Sequence, residues 1–277
     1  MSSFLLFSGA LLLIIYYFRF ALKEGYQYVE RAAAPVRSKI FPVPPYYREL
    51  LTKYFRYYIG LSPQNKLLFE QRVCRFIYSK RFIPRGMEEV PIEMVVFIAA
   101  TAVQLTFGLP HIYLQHFNKI LIYPDDYYSN ITKRFHKGEV NPVFGIIVLS
   151  WQNFMEGFLH ADDAVNLGLH EMAHALRLEN MIRNEEFGFF DGEELAQLDQ
   201  WAHRICQEGD VPEADFFRPY ACTNVHEFFS VAVENFFERS AQFKTVLPEL
   251  YAVMVKLLRQ DPLSIISNHL NTSTNPN

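Results

Sequence analysis

Two histidines and a glutamate interrupt the apolar run LGLHEMAHAL at residues 167–176. His170 and His174 are four residues apart, so on a helix their side chains project from one face, one turn apart. Two imidazoles placed in this way can bind one Zn²⁺ at about 2.0–2.1 Å. Glu171 lies too far round the helix to bind the same ion. In the His-Glu-x-x-His pattern, the glutamate at this position takes the proton of the zinc-bound water. The spacing predicts a zinc site able to hydrolyse peptide bonds.

The alternative interpretation of these residues is a partly exposed helix with incidental charges. The residues around the motif are all uncharged: Leu167, Leu169, Met172, Ala173, Ala175 and Leu176. Such a helix is expected to be buried, and burying polar groups without partners is costly. A metal ion removes that cost, so the metal site is favoured.

A catalytic zinc site needs a third protein ligand, because its fourth position is kept for water. A predicted helix that begins near Asn224 carries Glu227 in its first turn and Glu234 seven residues later, on the same face. Glu227 could bind the metal while Glu234 supports it through a hydrogen bond to a ligand. In the alternative, Glu234 and Glu238 face solvent, and for Glu238 this is the favoured interpretation.

Three longer segments, GIIVLSW, LGLHEMAHAL and YACTNVHEFFSVAVENFF, together resemble the Mlc titration factor A family of zinc peptidases. The resemblance extends over about residues 60–262. It implies a mainly helical zincin fold, related to the lethal-factor toxin protease, with zinc held by His170, His174 and Glu227. It also implies Glu171 as the catalytic base and Tyr220 as a phenol near the oxyanion. A phenolic O–H can donate to a developing oxyanion, but the resemblance alone selects Tyr220 among 16 tyrosines.

One position departs from the family pattern. The family usually continues the motif as HExxHxLD, whereas this chain has Arg177 in place of the aspartate. An arginine cannot accept the N–H of a ligand histidine, and losing such a partner typically costs about 10–100-fold in metal affinity or activity. Glu179 is a candidate substitute for the missing acid.

Composition and cysteine content exclude several classes of protein. The net charge of −4 gives no basic surface for nucleic acid, and 50% hydrophobic residues exclude disorder over most of the chain. Cys74, Cys206 and Cys222 are widely spaced and form no CxxC pair. They are therefore expected to be buried free thiols in a reducing compartment.

The amino terminus resembles a membrane anchor. Residues 4–22 contain a single charge, Arg19, and as a helix they would span about 28 Å. Basic residues follow this run and none precedes it, so the positive-inside rule predicts a cytoplasmic body. We expect a transmembrane helix at residues 1–23 of a single-pass protein of the cell inner membrane. A cleaved signal peptide is the alternative, but this segment lacks the basic residues with which signal peptides begin.

The remaining chain divides into a proline-containing linker at residues 24–45, a metallopeptidase domain at 46–265 and a flexible tail at 266–277. We expect an α+β fold, mainly helical with a small β-sheet. The runs Lys119–Pro124 and Phe144–Trp151 are predicted strands. The apolar run at residues 91–110 is interpreted as a buried core helix in preference to a second membrane span.

The sequence supports two functions. The first is a membrane-anchored zinc metallopeptidase possessing one Zn²⁺ per chain. The family resemblance implies that the strand 144–151 pairs with an extended peptide substrate, and it suggests an aminopeptidase. The second is a zinc-containing regulatory protein that sequesters a protein partner such as a transcriptional regulator. Neither function involves nucleic acid.

Overall fold

The structure is a computed structural model that describes residues 42–109, 112–129, 133–160, 162–182, 188–207 and 214–265. Helices make up most of this part of the chain, within a compact unit that begins at Pro45. The α-helices are α1 Pro45–Tyr54, α2 Arg56–Ile59, α3 Pro63–Ser79, α4 Ile92–Thr106, α5 Trp151–Leu159, α6 Leu167–Ile182, α7 Gly192–Gln207, α8 Val225–Glu238, α9 Ser240–Val246 and α10 Pro248–Leu258. Two 3₁₀ helices, Ala214–Phe216 and Pro219–Thr223, precede α8.

The strands form one four-stranded sheet and one hairpin. They are β1 Arg81–Pro84, β2 Lys119–Tyr123, β3 Tyr127–Ser129, β4 Arg134–His136, β5 Gly138–Asn141 and β6 Ile146–Ser150. The sheet has the order β1-β2-β6-β5; β1, β2 and β6 are parallel, and β5 is antiparallel to β6. Strands β3 and β4 pair in the separate antiparallel hairpin.

The two strands predicted from the sequence are confirmed as β2 and β6. The expected role of β6 in pairing with substrate is wrong, because β2 and β5 occupy both of its edges. Strand β5 is the sheet edge on this side among the described strands. An extended peptide could therefore add to β5 but not to β6.

The apolar run at residues 91–110 forms the buried core helix that the sequence favoured. Helix α4 has 15 residues, of which 11 are buried. Its length is about 23 Å at 1.5 Å per residue, short of the roughly 30 Å hydrocarbon core of a bilayer. It packs against α6, the helix that contains both motif histidines.

The predicted transmembrane helix at residues 1–23 lies outside the described residues, as do most of the linker and the tail. No described helix combines the length and the apolar character needed to cross a membrane. The expected fold class and the expected single-pass inner-membrane location both included such a helix, and both are wrong on this point. The described chain is mainly helical with two small sheets.

Helix α6 contacts α4, α5, α8, β5 and β6. It is buried along most of its length through Leu169, Met172, Ala173, Ala175 and Leu176. Fully burying one leucine or methionine contributes about 1.5–3 kcal/mol. The polar residues between them are thus held on a rigid element.

Candidate metal centre

Helix α6 begins at Leu167, after a turn that fixes its first residues. The side-chain Oδ1 of Asn166 accepts the N–H of Leu169 at 2.9 Å, which is an N-cap interaction. The chain turns just before this cap, at Ala164, whose φ is 59°. The cap therefore lies one turn before His170, directly below the motif.

Helix α8 is capped in the same way. Asn224 Oδ1 accepts the N–H groups of His226 at 2.9 Å and Glu227 at 3.1 Å. This places Glu227 in the first turn, facing α6, with Glu234 two turns further along the same face. Two capped helices thus bring three potential ligands together.

His170, His174 and Glu227 form one tight triangle. The two Nε2 atoms are 3.0 Å apart, and Glu227 Oε2 lies 3.0 Å from His170 Nε2 and 3.1 Å from His174 Nε2. Two ligands of a tetrahedral zinc ion with bonds of about 2.0–2.1 Å are about 3.3 Å apart. Two imidazoles and a carboxylate are also a donor set that zinc prefers. The residues present therefore fit a zinc ion, and within the described ranges they are the one such cluster.

The charges around this triangle favour a cation. Burial lowers the pKa of His170, but hydrogen bonds with Glu227 and Glu234 raise it further, to about 10. Burial raises the pKa of Glu227, while its hydrogen bonds with His170 and His174 lower it more, to well below its usual range. Positive charge is thus stabilised here, whether it is carried by a proton or by a metal ion.

Glu234 lies directly behind His170. The carboxylate is 1% exposed, and its Oε2 lies 3.3 Å from His170 Nδ1 while its Oε1 accepts the N–H of Asn166 at 2.8 Å. A carboxylate in this position orients a ligand histidine and fixes which nitrogen faces the metal. Glu238 was expected to face solvent, but it is partly buried and accepts a hydrogen bond from Asn166 Nδ2 at 2.8 Å.

Glu171 is buried beside a cavity of about 530 Å³. Burial raises the pKa of its carboxyl group to about 6, with the two neighbouring histidines opposing the shift. The residues that line the cavity include His170, Glu171, Arg218, Tyr220 and Glu234, together with His136, Lys137, Gly138, Glu156 and His160. A carboxylate at the wall of a cavity beside the triangle can accept a proton from a molecule bound there.

Tyr220 lies in the 3₁₀ helix Pro219–Thr223, at the rim of the same cavity. Its ring centroid is 5.9 Å from that of His170, and the residue is 49% exposed. Burial and the neighbouring Glu227 carboxylate raise the pKa of its phenol to about 12. The phenol is therefore protonated at neutral pH and can act as a hydrogen-bond donor towards the cavity.

A disulfide between Cys206 and Cys222 links α7 to the segment that contains Tyr220. The expectation of three free thiols is therefore wrong for this pair, whereas Cys74 is free and buried. Sequence could not identify the pair, because their approach to a Cα–Cα distance of 5.2 Å depends on how α7 packs.

Arg177 does not contact the histidines. Its guanidinium pairs with Asp199 at 2.6 Å and lies over the ring of Phe229. Glu179 does not replace the missing acid either, since its two oxygens accept the backbone N–H groups of Gln115 and His116 at 2.9 and 3.1 Å. The acid that supports the triangle is Glu234, which comes from another helix.

Three residues of the site were not found from the sequence. Asn166 could have been recognised as a cap residue immediately before the apolar helix. Gly138 packs against Glu171, and Arg218 pairs with Glu234 at 2.7 Å. Both contacts join distant parts of the chain, and no local pattern signals them.

A His-x-x-x-His pair on one helix, a glutamate on a second helix and a buried glutamate beside a cavity are the features of a metallopeptidase-like protein. Comparison with known proteins agrees: the chain belongs to the family of Glucose-regulated metallo-peptidase M90, whose sequence profile matches residues 30–259. The resemblance to Mlc titration factor A noted in the sequence is confirmed by curated relatives of that name.

Two relatives called Mlc titration factor A are each 26% identical to this chain. The one from Pectobacterium atrosepticum aligns over 218 residues, 71% of this chain and 80% of the relative. The one from Edwardsiella ictaluri aligns over 226 residues, 74% of this chain and 83% of the relative. The uncharacterized protein slr2042 of Synechocystis sp. is 25% identical over 241 residues, 80% of this chain and 86% of the relative. Family membership thus implies a metal, consistent with the triangle of donors.

Proposed function

We propose that this protein is a zinc-dependent peptidase that holds one Zn²⁺ per chain through His170, His174 and Glu227. The observation that supports this best is the separation of their three donor atoms, 3.0–3.1 Å, beside the buried carboxylate of Glu171. A zinc ion, when bound, supplies a Lewis acid that polarises a carbonyl group and makes water nucleophilic near neutral pH.

The side chains around the triangle divide the proton transfers between them. Glu171 accepts the proton of the attacking water and returns it to the leaving amine as the peptide bond breaks. Tyr220 donates its O–H to the carbonyl oxygen as negative charge develops there. Glu234 accepts the Nδ1–H of His170, so that Nε2 is the nitrogen free to bind metal.

Strand β5 is the proposed support for the substrate backbone. It is one of the two edge strands of the four-stranded sheet in the described chain, and Gly138 at its start lines the cavity next to Glu171. An extended peptide that pairs with β5 would carry its scissile bond past that carboxylate. The proposed peptidase domain comprises residues 46–265.

The test combines metal analysis with one substitution. We expect purified protein to contain about one zinc per chain, and Glu171→Gln to keep this zinc while losing hydrolysis of a fluorogenic peptide library. Glu89→Gln, at an exposed glutamate outside the cavity, is the matched control and should hydrolyse at the wild-type rate. Equal hydrolysis by Glu171→Gln would remove Glu171 from the mechanism. Amino-terminally blocked and free peptides, assayed side by side, separate an endopeptidase from an aminopeptidase.

A second candidate is a regulatory protein that binds a transcriptional regulator and uses zinc structurally. It is favoured by the relatives named Mlc titration factor A. A pull-down and a cleavage assay, each with and without a chelator, distinguish the two. Binding without cleavage in any of these conditions would support the regulatory function.

A further inference from the structure

We propose that Arg218 is a positioning residue that holds Glu234 against His170 and fixes the segment of Tyr220 beside the metal ligands. This inference rests on the proposed zinc site. Arg218 immediately precedes the 3₁₀ helix Pro219–Thr223, and its guanidinium reaches back between α6 and α8 at the wall of the cavity.

The first contact neutralises a buried charge. Arg218 Nη2 donates to Glu234 Oε2 at 2.7 Å, while the other oxygen of Glu234 accepts the N–H of Asn166. The Glu234 side chain is 1% exposed and that of Arg218 is 27% exposed, so in the folded protein the guanidinium shields this carboxylate from solvent. An ionised carboxylate buried without a counter-charge is costly. Arg218 therefore allows Glu234 to remain a charged acceptor behind His170.

The same contact sets the direction of the His170 hydrogen bond. A histidine that binds metal through Nε2 carries its proton on Nδ1. That proton is directed at Glu234 Oε2, which lies 3.3 Å away and is shared with Arg218. Arg218 Nη2 lies 3.5 Å from His170 Nδ1. When His170 carries its proton on Nδ1, both nitrogens are donors, and both point at Glu234 Oε2.

The second set of contacts links Arg218 to the turn before α6 and to Tyr220, the proposed oxyanion donor. Arg218 Nη1 donates to the carbonyl of Ala164 at 2.5 Å, in the turn that precedes α6. Its guanidinium carbon is 5.8 Å from the ring centroid of Tyr220. The planar guanidinium group of arginine can donate to two acceptors and stack on an aromatic ring at the same time, whereas a lysine ammonium group cannot. One side chain thus joins the turn before α6, helix α8 and Tyr220.

Arg218→Ala is tested by zinc affinity, measured by competition with a chelator. We expect zinc binding to weaken by about 10–100-fold, as for other residues that orient a ligand. Arg48→Ala is the matched control, because Arg48 also pairs with a buried glutamate, Glu70, at 2.7 and 2.9 Å, on α1 and α3. That control should lose thermal stability but keep wild-type zinc affinity and kcat.

Arg218→Lys keeps the charge next to Glu234 and is the milder variant if Arg218→Ala does not fold. We expect it to recover most of the zinc affinity but not the full kcat, since it loses the bridge to Ala164 and Tyr220. Zinc binding no tighter than in Arg218→Ala would contradict the role of the charge.

A double-mutant cycle with Glu234→Gln decides whether Arg218 acts through Glu234. The two losses in zinc affinity should be strongly non-additive, because each substitution disrupts the same hydrogen-bonded unit. Additive losses, or wild-type zinc affinity in Arg218→Ala, would overturn this inference and leave the proposed function intact. Absence of zinc binding and hydrolysis in the wild type would instead overturn the proposed function itself.

Discussion

Gly138 and the carboxylate of Glu171 are in direct contact across the cavity wall. A Cβ on Gly138 would lie 2.6 Å from Glu171 Cδ and closer still to Oε1. Real Cβ atoms do not approach other heavy atoms so closely, so the absence of a side chain at the start of β5 allows Glu171 its position. The position of the Glu171 carboxylate, the proposed base, therefore depends on a glycine at position 138 of the edge strand β5.

Gly138→Ala should displace the Glu171 carboxylate and lower kcat without removing the metal. A shift of about 1 Å in a reacting group can cost roughly 100-fold in rate. We expect a loss of this order in peptide hydrolysis, with zinc content and thermal stability close to wild type. The measurement is kcat together with metal analysis on the same preparation.

Gly192→Ala is the control for this substitution. A Cβ at Gly192, the first residue of α7, would meet no heavy atom within 4 Å. This variant should be fully active. If Gly138→Ala were equally active, Glu171 would be able to move aside without consequence, and the fit between β5 and the base would not matter for catalysis.

Tyr220→Phe should lower kcat and leave zinc affinity unchanged. Removing one donor to a developing oxyanion typically costs about 100–1000-fold in kcat. The ring of Tyr220, 5.9 Å from that of His170, is kept in the phenylalanine variant, so its packing against this ligand is preserved. Tyr54→Phe removes a hydroxyl of similar exposure, 45% against 49%, on α1 and should have no effect. A loss of zinc in Tyr220→Phe would show that the phenol supports the metal site instead.

The parts of this site that depend on helix geometry could be predicted from the sequence. Residues four apart on one helix must lie on the same face, so the approach of His170 and His174 follows from their spacing alone. That Glu227 would face them required the family resemblance as well as a helix that starts near Asn224. The structure brings all three together, with donor atoms 3.0–3.1 Å apart.

The parts that depend on tertiary packing could not be predicted. Strand β5, with the sequence GEVN, has neither β-branched enrichment nor alternation, and its pairing with β6 is what makes it a strand. The contact between Arg218 and Glu234 joins a loop to a helix 16 residues away. The pairing of Cys206 with Cys222 likewise needs α7 to lie beside the 3₁₀ helix.

The disulfide gives a prediction that counts thiols. Unfolded, unreduced protein should expose one free thiol, from Cys74, and reduced protein should expose three. Closing a loop of this length contributes about 3 kcal/mol to stability in the chain-entropy model. We therefore expect dithiothreitol to lower the midpoint of denaturant unfolding, because Cys222 is exposed to the reductant.

Two variants assign that effect to the Cys206–Cys222 bond. Cys222→Ser should be as unstable as reduced wild type and insensitive to dithiothreitol, whereas Cys74→Ala should remain sensitive. In Cys222→Ser we also expect kcat to fall, since the bond anchors the segment two residues after Tyr220. Three reactive thiols in the unreduced protein would contradict the pairing.

Glu238 should make stability depend on pH. Burial raises its pKa from the usual 4.5 to about 8; the hydrogen bond from Asn166 opposes this and the nearby Glu234 carboxylate adds to it. Between about pH 4.5 and pH 8, the folded state therefore binds one proton more than the unfolded state. The resulting stability is fully present below about pH 4.5 and is lost as pH rises through about 8, with a slope of up to about 1.4 kcal/mol per pH unit.

Glu238→Gln removes this titration while keeping the shape of the side chain and a carbonyl oxygen for Asn166. Compared with wild type, the variant should gain stability as pH rises from 5 to about 8 and then hold a constant difference. Denaturant unfolding at a series of pH values measures that difference directly. Glu88→Gln, at an exposed loop residue, is the control and should follow the wild-type curve. Parallel curves for Glu238→Gln and wild type at every pH would mean that folding does not raise the pKa of Glu238, and would contradict the protonated, buried Glu238 inferred here.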